Sequence, residues 1–499
     1  MELGSAEVEV RHDATRGRGV YAKAALPANQ VVLKDSPISV ASAHEVDSDD
    51  DSDDETETTP PLVCCVCKRF VGSVPLQLHY LAGSFQLLSG MCSDERCVQP
   101  LPASVQAMTA QPNLPNMPPA STPVYLTKFK GDKLPSVVCS KLCGDILHAQ
   151  PTNVFSSTFQ RSEPFQTHNA ELKHLSLVTA ILARIYYRLY VQARSSGTLD
   201  WEAAVHDILH LEECPLLAKM IDADVASAAH AYVLRAFSSK SKVFAVFQAH
   251  VDLNFFVGLL GRAKVNAVGV DVPSPIVPYF LSCEGDPAAK ADLVAQAAPL
   301  LERVLQKLCH MGDADECDSE VESSEDDESE DESDDASDNA TDATDATDAT
   351  DDRKRATSND DGNGSDDEDE DIHFVWSTAD DSCDIEFNSS AFPSMDGTAL
   401  FPRFSMLNHS CAPNCGFTYV NETDITVFTT QDVAPGDELT ISYIERHAPV
   451  GARQADLRSR YNFTCTCVRC TAELAESKRG KGKRKLQDAT DQPRKKMAP

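Results

Sequence analysis

The nine residues LNHSCAPNC, Leu407 to Cys415, hold two amides, an imidazole, a hydroxyl and two thiols, with Pro413 stiffening the middle. A solvated loop does not need two cysteines, and an apolar core does not favour Asn408 and His409 side by side. The stretch therefore reads as a binding or catalytic corner. Further on, Cys465, Cys467 and Cys470 form C-x-C-x-x-C, which puts three thiolates on one short turn. Zinc takes a tetrahedral set of four, so a fourth ligand must come from elsewhere. Earlier cysteines come in pairs: Cys64 with Cys67, Cys92 with Cys97 in MCSDERC, and Cys139 with Cys143 in VVCSKLCGDILH, which ends at His148. Two glycines flank Arg18 in TRGRGVYA, which lets backbone come close to a ligand.

The 499 residues are long enough for two or three packed units, and 42% of them are hydrophobic, ordinary for a globular protein. The net charge of -34 is concentrated. Glu45 to Glu57 holds nine acids and no bases, and Asp313 to Asp371 holds 29 acids against Arg353, Lys354 and Arg355. These two runs account for all of the net charge, so the remainder is close to neutral and open to an anionic or nucleosomal partner. The opening MELGSAEVEV has no basic flank and apolar stretch, and no run approaches the ~18 apolar residues of a membrane span. The expectation is a soluble intracellular protein whose 17 cysteines are reduced. Clustered cysteines there point to zinc before disulfides.

Short strands are expected at Val8–Val10, Gly19–Ala22 and Val31–Val40. Pro60 to His148 has little periodicity. From His168 to Arg262 the spacing turns helical, clearest in HLSLVTAILARIYYRLYVQA, His174 to Ala193, and Ala288 to His310 reads as another helix. The acidic runs, the second with four tandem ATD triplets, cannot bury enough apolar surface to order themselves. Strands follow at Gly416–Val420, Ile425–Thr430 and Glu438–Tyr443, with the turn Pro435-Gly436-Asp437 before the last. Lys478 to Pro499 carries nine Lys or Arg against two Asp and forms a basic tail.

Four pieces occur in order: the early G-x-G of TRGRGVYA, N-H-S-C-x-P-N at Asn408–Asn414, E-L-x-x-x-Y at Glu438–Tyr443, and the C-x-C-x-x-C of RYNFTCTCVRC. That order resembles the SET-domain protein lysine methyltransferases, nearest the SET-and-MYND subfamily. It covers residues 7 to 40 and 390 to 470 well and the inserts between them loosely. The resemblance implies an α+β SET-domain fold of small β-sheets with knot-like threading, split by a zinc-binding insert and a helical insert, with a C-terminal zinc-binding post-SET segment. The implied organisation is 1–42 N-terminal SET core, 43–60 acidic loop, 61–150 MYND-like insert and 160–310 helical insert. Then come 311–372 acidic insert, 373–447 C-terminal SET core, 448–475 post-SET segment and 476–499 basic tail.

The resemblance also implies roles. Asn408 and His409 would contact S-adenosylmethionine, with Ser405 and Leu407 beside them, under the strand that carries Tyr443. Tyr443 would orient the reacting amine, Tyr461 would wall the lysine channel, and Phe463 would pack on the adenine. Cys411 matches the fourth ligand of a zinc shared with Cys465, Cys467 and Cys470, while Cys415 reads as a core thiol. In the insert, Cys139, Cys143 and His148 resemble the second half of a MYND finger, although the usual final H-x-x-x-C is missing. Cys64, Cys67, Cys139 and Cys143 are the favoured set for one site, with Cys65 competing for the place of Cys64. Two positions have two readings each. Asn266 in GRAKVNAVGV contacts the cofactor or caps a helix, and Arg18 reaches the cofactor's carboxylate or is an exposed arginine.

The function so implied is methyl transfer from S-adenosylmethionine to a lysine amine of a histone or non-histone protein, without membrane involvement. Two other classes compete. One is a catalytically weak, zinc-dependent SET-fold interaction protein, against which the intact Asn408, His409 and Tyr443 argue. The other is a histone-binding chaperone built on the acidic runs, which would not need the N-H-S-C segment. The clusters Lys478-Arg479, Lys481, Lys483-Arg484-Lys485 and Arg494-Lys495-Lys496 resemble a nuclear import signal and are the one place suited to nucleic-acid phosphates. Residence in the nucleus, the cytoplasm or both is expected.

Overall fold

A computed structural model describes residues 7–13, 17–42, 59–84, 98–110, 112–117, 122–130, 132, 135–214, 220–309, 372–377, 384–420 and 423–476. Cys92, Cys97, both acidic runs and the basic tail lie outside the described residues.

Three small sheets join the two ends of the chain. In the first, Val8–Asp13 pairs with Gly17–Ala22, which pairs with Glu438–Ile441, and Asn408–His409 lies parallel to the last. In the second, Asp424–Thr429 sits between Cys415–Val420 and Val31–Asp35. In the third, Met395–Leu400 sits between Ser39–Ser42 and Ala267–Val272. Each holds strands from before residue 43 and from after residue 394, so neither end can complete the core alone. Their inward faces, with Val20, Val40, Phe401, Ile425 and Leu439, make one apolar core.

The expected strand at Val31–Val40 is two strands, because Pro37 cannot donate to a ladder and the chain changes sheet there. Gly397 allows the third sheet to close: a Cβ there would lie 2.1 Å from the Ala41 carbonyl oxygen.

The helical stretch centres on Leu175–Ser195, whose first four turns are buried nearly all round. Helices Glu163–Glu171, Trp201–Leu209, Ala223–Ala236, Lys242–His250 and Leu253–Asn266 surround it. Four of these carry a side-chain cap from Asp200, Asp222, Ser241 or Asp252. The helical pattern does not run on unbroken: Ala267–Val272 is a strand of the third sheet. Helices Ile276–Glu284 and Pro287–Cys309 then build a separate core around Phe280, Phe374, Phe387 and Phe392. Residues 60–148, which show little periodicity in sequence, contain helices Val74–Leu81, Ala103–Thr109 and Lys141–Ala149 and a three-stranded sheet. Ser73 and Ser140 cap the first and last of those helices. Among the described residues no single helix is long and apolar enough to cross a membrane.

Candidate functional site

The segment Leu407 to Cys415 is fixed from both ends. Upstream, the buried Asp35 carboxylate accepts from the backbone N–H groups of Arg403 (2.7 Å) and Phe404 (2.9 Å), which holds the turn Phe404–Met406. Downstream, Asn414 behaves like a peptide group. Its Nδ2 donates to the Glu438 carbonyl (2.8 Å) and its Oδ1 accepts from the Thr440 N–H (2.8 Å). Between them, Asn408 pairs with Thr440 and His409 with Ile441, and the Ser410 N–H donates to the Ile441 carbonyl at 2.9 Å. The crowding of polar groups is thus compensated bond by bond.

The Asn408 amide donates to the Arg18 carbonyl (2.8 Å) and to Glu438 Oε1 (2.7 Å). Both amide protons are used within the protein, so Asn408 offers a ligand only its oxygen. Gly19 makes the approach feasible: a Cβ there would lie 2.5 Å from Glu438 Oε1 and 3.0 Å from Asn408 Nδ2. His409 Nδ1 accepts from the Tyr443 N–H at 3.0 Å, which leaves Nε2 protonated and facing Cys411 Sγ at 3.2 Å. Burial, and secondarily the Arg453 charge, pushes its pKa down to about 4. His409 is therefore a neutral bridge from the Tyr443 backbone to Cys411.

The Tyr443 hydroxyl donates to the Leu407 carbonyl, and burial pushes its pKa up, so it stays protonated. Its ring centroid lies 5.0 Å from that of Tyr461 and 5.3 Å from that of His409. Phe463 packs 6.0 Å from His409 and 6.5 Å from Tyr461. Tyr461 closes the helix Val450–Tyr461, and Asn462, in the left-handed region (φ 62°), turns the chain so that Phe463 faces inward. Ser405 Oγ is buried and has no hydrogen-bond partner among the described residues. Arg18 reaches Glu212 at 3.9 Å. Asn266 donates to the Glu212 carbonyl and to the Arg262 carbonyl, both at 2.7 Å. The bonds of Asn266 Nδ2 are those of a helix end, and Glu212 brings it together with Arg18.

Two cysteine sets converge. The sulfurs of Cys411, Cys465, Cys467 and Cys470 all lie within 4.8 Å of one another, and so do those of Cys64, Cys67, Cys139 and Cys143. The edge of a zinc–thiolate tetrahedron is about 3.8 Å, from its ~2.3 Å bonds. The observed Cys411–Cys470 (3.4 Å), Cys411–Cys465 (4.0 Å), Cys67–Cys139 (3.4 Å) and Cys139–Cys143 (3.7 Å) separations straddle that value. All eight are free thiols. Burial pushes Cys411 and Cys465 up, the latter to about 11, so without a cation these two thiols would be neutral. A coordinated metal deprotonates them outright. Cys65 is not among the converging sulfurs. His148 stands apart, hydrogen-bonded to the Thr127 hydroxyl and stacked on Phe129. Cys415 is buried in a strand of the second sheet, among apolar neighbours.

Three residues of this site carried no role in the sequence reading: Glu438, Asn414 and Arg453. Glu438 and Asn414 stand inside the quoted motifs, and their place in those motifs was the available signal. Arg453 lies in no motif.

The SET-domain family model matches residues 17–444. The chain is 43% identical over 77 residues to N-lysine methyltransferase SMYD2 of Rattus norvegicus and 36% identical over 77 residues to Histone-lysine N-methyltransferase SMYD3 of Mus musculus. Each match covers 15% of this chain and 18% of the relative. A SET and MYND domain-containing protein of Dictyostelium discoideum is 40% identical over 78 residues, 15% of either chain. The aligned stretch thus spans less than a fifth of these relatives. The family match extends from the G-x-G strand to Ile444, just beyond Tyr443, and the chain belongs to the SET-domain family.

Proposed function

We propose that this protein is an S-adenosylmethionine-dependent N-methyltransferase acting on a lysine side chain of a protein. The observation that carries the reading is the convergence of Asn408, Tyr443, Tyr461 and Phe463, from three separate motifs, against a four-thiol cluster. The methyltransferase names of the matched relatives support it.

The residues fit a nucleoside-bearing ligand. Ser405 Oγ is buried and unpartnered, Asn408 offers an amide oxygen, and Gly19 lets backbone approach. Phe463 supplies an aromatic face for a base, while Arg18, at the Glu212 edge, supplies a cation for a carboxylate. Asn266 sits at that same edge as a further contact. Zinc would be held by Cys411, Cys465, Cys467 and Cys470, and a second ion by Cys64, Cys67, Cys139 and Cys143. S-adenosylmethionine supplies an electrophilic methyl group on a sulfonium centre.

The chain's own residues then have three tasks. The first is to keep the lysine amine neutral. Its pKa in water is about 10.4, and desolvation beside the packed Tyr443 and Tyr461 rings would disfavour the ammonium form. The second is to aim it. Because the Tyr443 O–H is already donated to Leu407, its oxygen serves as acceptor for an amine N–H, which directs the nitrogen lone pair away from the ring. The third is to hold that geometry at near-attack distance. The parallel pairing of Asn408–His409 beside Glu438–Ile441, fastened by Asn414, serves this end. We read it as a knot-like threading, with 448–475 as a post-SET segment closing over it. Histones are the first substrates to try. The basic tail is proposed as a nuclear import signal.

The experiment is incubation of the purified full chain with labelled cofactor and a panel of histones and cell proteins. Label on lysine of at least one protein is expected. Tight cofactor binding with no transfer to any protein would replace this reading with that of a SET-fold interaction protein.

A further inference from the structure

Among the described residues, Arg453 has the largest fully buried side chain, at 1% exposure. It lies on the helix Val450–Tyr461, against the cluster of Cys411, Cys465, Cys467 and Cys470. Its Nη2 donates to Cys470 Sγ at 3.7 Å and to Glu473 Oε2 at 2.7 Å, and its Nη1 donates to the Ala448 carbonyl. Glu473 is shared: its Oε1 accepts from Arg469 Nε at 2.7 Å. Arg469 in turn donates to the Cys411 carbonyl (3.2 Å) and the Arg446 carbonyl (2.8 Å). Two guanidinium groups and one carboxylate thus wrap the cysteines, leaving one positive charge in excess.

A buried guanidinium whose charge is only half answered by a shared carboxylate is an expensive arrangement unless further negative charge lies beside it. Beside a loaded metal centre the balance reverses. Four thiolates around a divalent cation leave two negative charges in the same pocket, and outer groups that donate to the ligands tune such a centre. We infer that Arg453 is a positioning residue of a metal centre formed by Cys411, Cys465, Cys467 and Cys470, holding Cys470 by an N–H···S bond and compensating the charge of the thiolates. This rests on the proposal that these cysteines bind zinc. Through Cys411 the centre touches His409, and through Cys465 it fixes the turn that carries Phe463. Arg453 thereby acts on the ligand pocket at one remove.

The test uses the full zinc-loaded chain and two substitutions. Arg453→Met keeps length and removes charge; Arg453→Lys keeps charge and removes the planar fork. Zinc release to a chelator is followed by a colour indicator, with Cys411→Ser and Cys139→Ser assigning each phase to a cluster. Arg453→Met should release zinc from the Cys411 cluster at least about tenfold faster, Arg453→Lys by an intermediate factor, and the other cluster at an unchanged rate. In the cobalt-loaded protein the sulfur-to-metal charge-transfer band should move to longer wavelength in Arg453→Met, because the thiolates regain electron density. A merely structural arginine would not move that band. Wild-type release and an unshifted band in both variants would overturn the assignment. So would loss of zinc from both clusters together with loss of helical signal, since that is a fold-wide effect. Metal analysis of the wild type separates the premise: if Cys411→Ser and wild type hold equal zinc, the zinc reading fails first and this inference with it.

Discussion

The two cysteine clusters have the same four sulfurs and nearly the same spacing, yet they are built into the molecule differently. The Cys411 cluster is buried at all four positions, and Cys411 comes from a segment 54 positions before the turn that carries the other three. One ligand is two residues from Asn408–His409, and the others directly follow Phe463. The Cys64 cluster is half-buried at Cys67 and Cys139 and packs with the helical core. Its knuckle, where Lys68 takes φ 61° and the Cys64 N–H donates to the Arg69 carbonyl, reaches the SET core through an Arg69–Asp424 ion pair and an Arg69–Thr423 hydrogen bond. One cluster adjoins His409 and the turn that carries Phe463, and the other lies in an insert joined to the core through Arg69. Equal chemistry should therefore have unequal consequences for activity.

The sharpest way to break that comparison is Cys411→Ser. It should remove one zinc per chain and lower methyl transfer by about 100-fold or more, because the turn carrying Phe463 loosens and His409 loses its partner. Metal analysis and initial rates check both. Cys139→Ser should also remove one zinc, but transfer to a short peptide should stay within about threefold of wild type. An equally deep loss in both variants would erase the distinction. The smallest effect belongs to Arg69→Ala. With side chains 32% and 28% exposed, the Arg69–Asp424 pair contributes about 0–1 kcal/mol. Denaturant unfolding should show a change of that size, with both zinc ions retained.

What the sequence made legible follows the same division. The pocket was readable because its residues sit in compact motifs: Asn408–Asn414, Glu438–Tyr443 and Cys465–Cys470 are each local strings, and the structure brings them together. The insert was less readable, since Cys67 and Cys139 are 72 positions apart and no pattern says whether Cys64 or Cys65 joins them. Its helix Val74–Leu81 was missed, although Ser73 caps it and Pro75 stands in its first turn. The helix Val450–Tyr461 was missed for another reason. Its only fully buried apolar side chain is Leu457, so it has almost no periodic stripe. Pro449 before it, Arg458 and Arg460 in its last turn and Asn462 after it were the available signals. The role of Arg453 could not be read at all, because a buried cation follows from tertiary neighbours and not from spacing. Asn266 remained open in sequence for the same reason; its bond to Arg262 is local, but its bond to the Glu212 carbonyl depends on a segment 54 residues away.

The central claim is that Tyr443 orients a lysine amine for methyl transfer, and the direct measurement is paired on wild type and Tyr443→Phe. Cofactor affinity is taken by calorimetry, and single-turnover transfer to the best protein substrate is followed with labelled cofactor. The substitution removes the hydroxyl that donates to Leu407 and leaves the ring against Tyr461 and His409. The account predicts near-normal cofactor binding with transfer slowed by about 100-fold or more. Full transfer rate in Tyr443→Phe would contradict it.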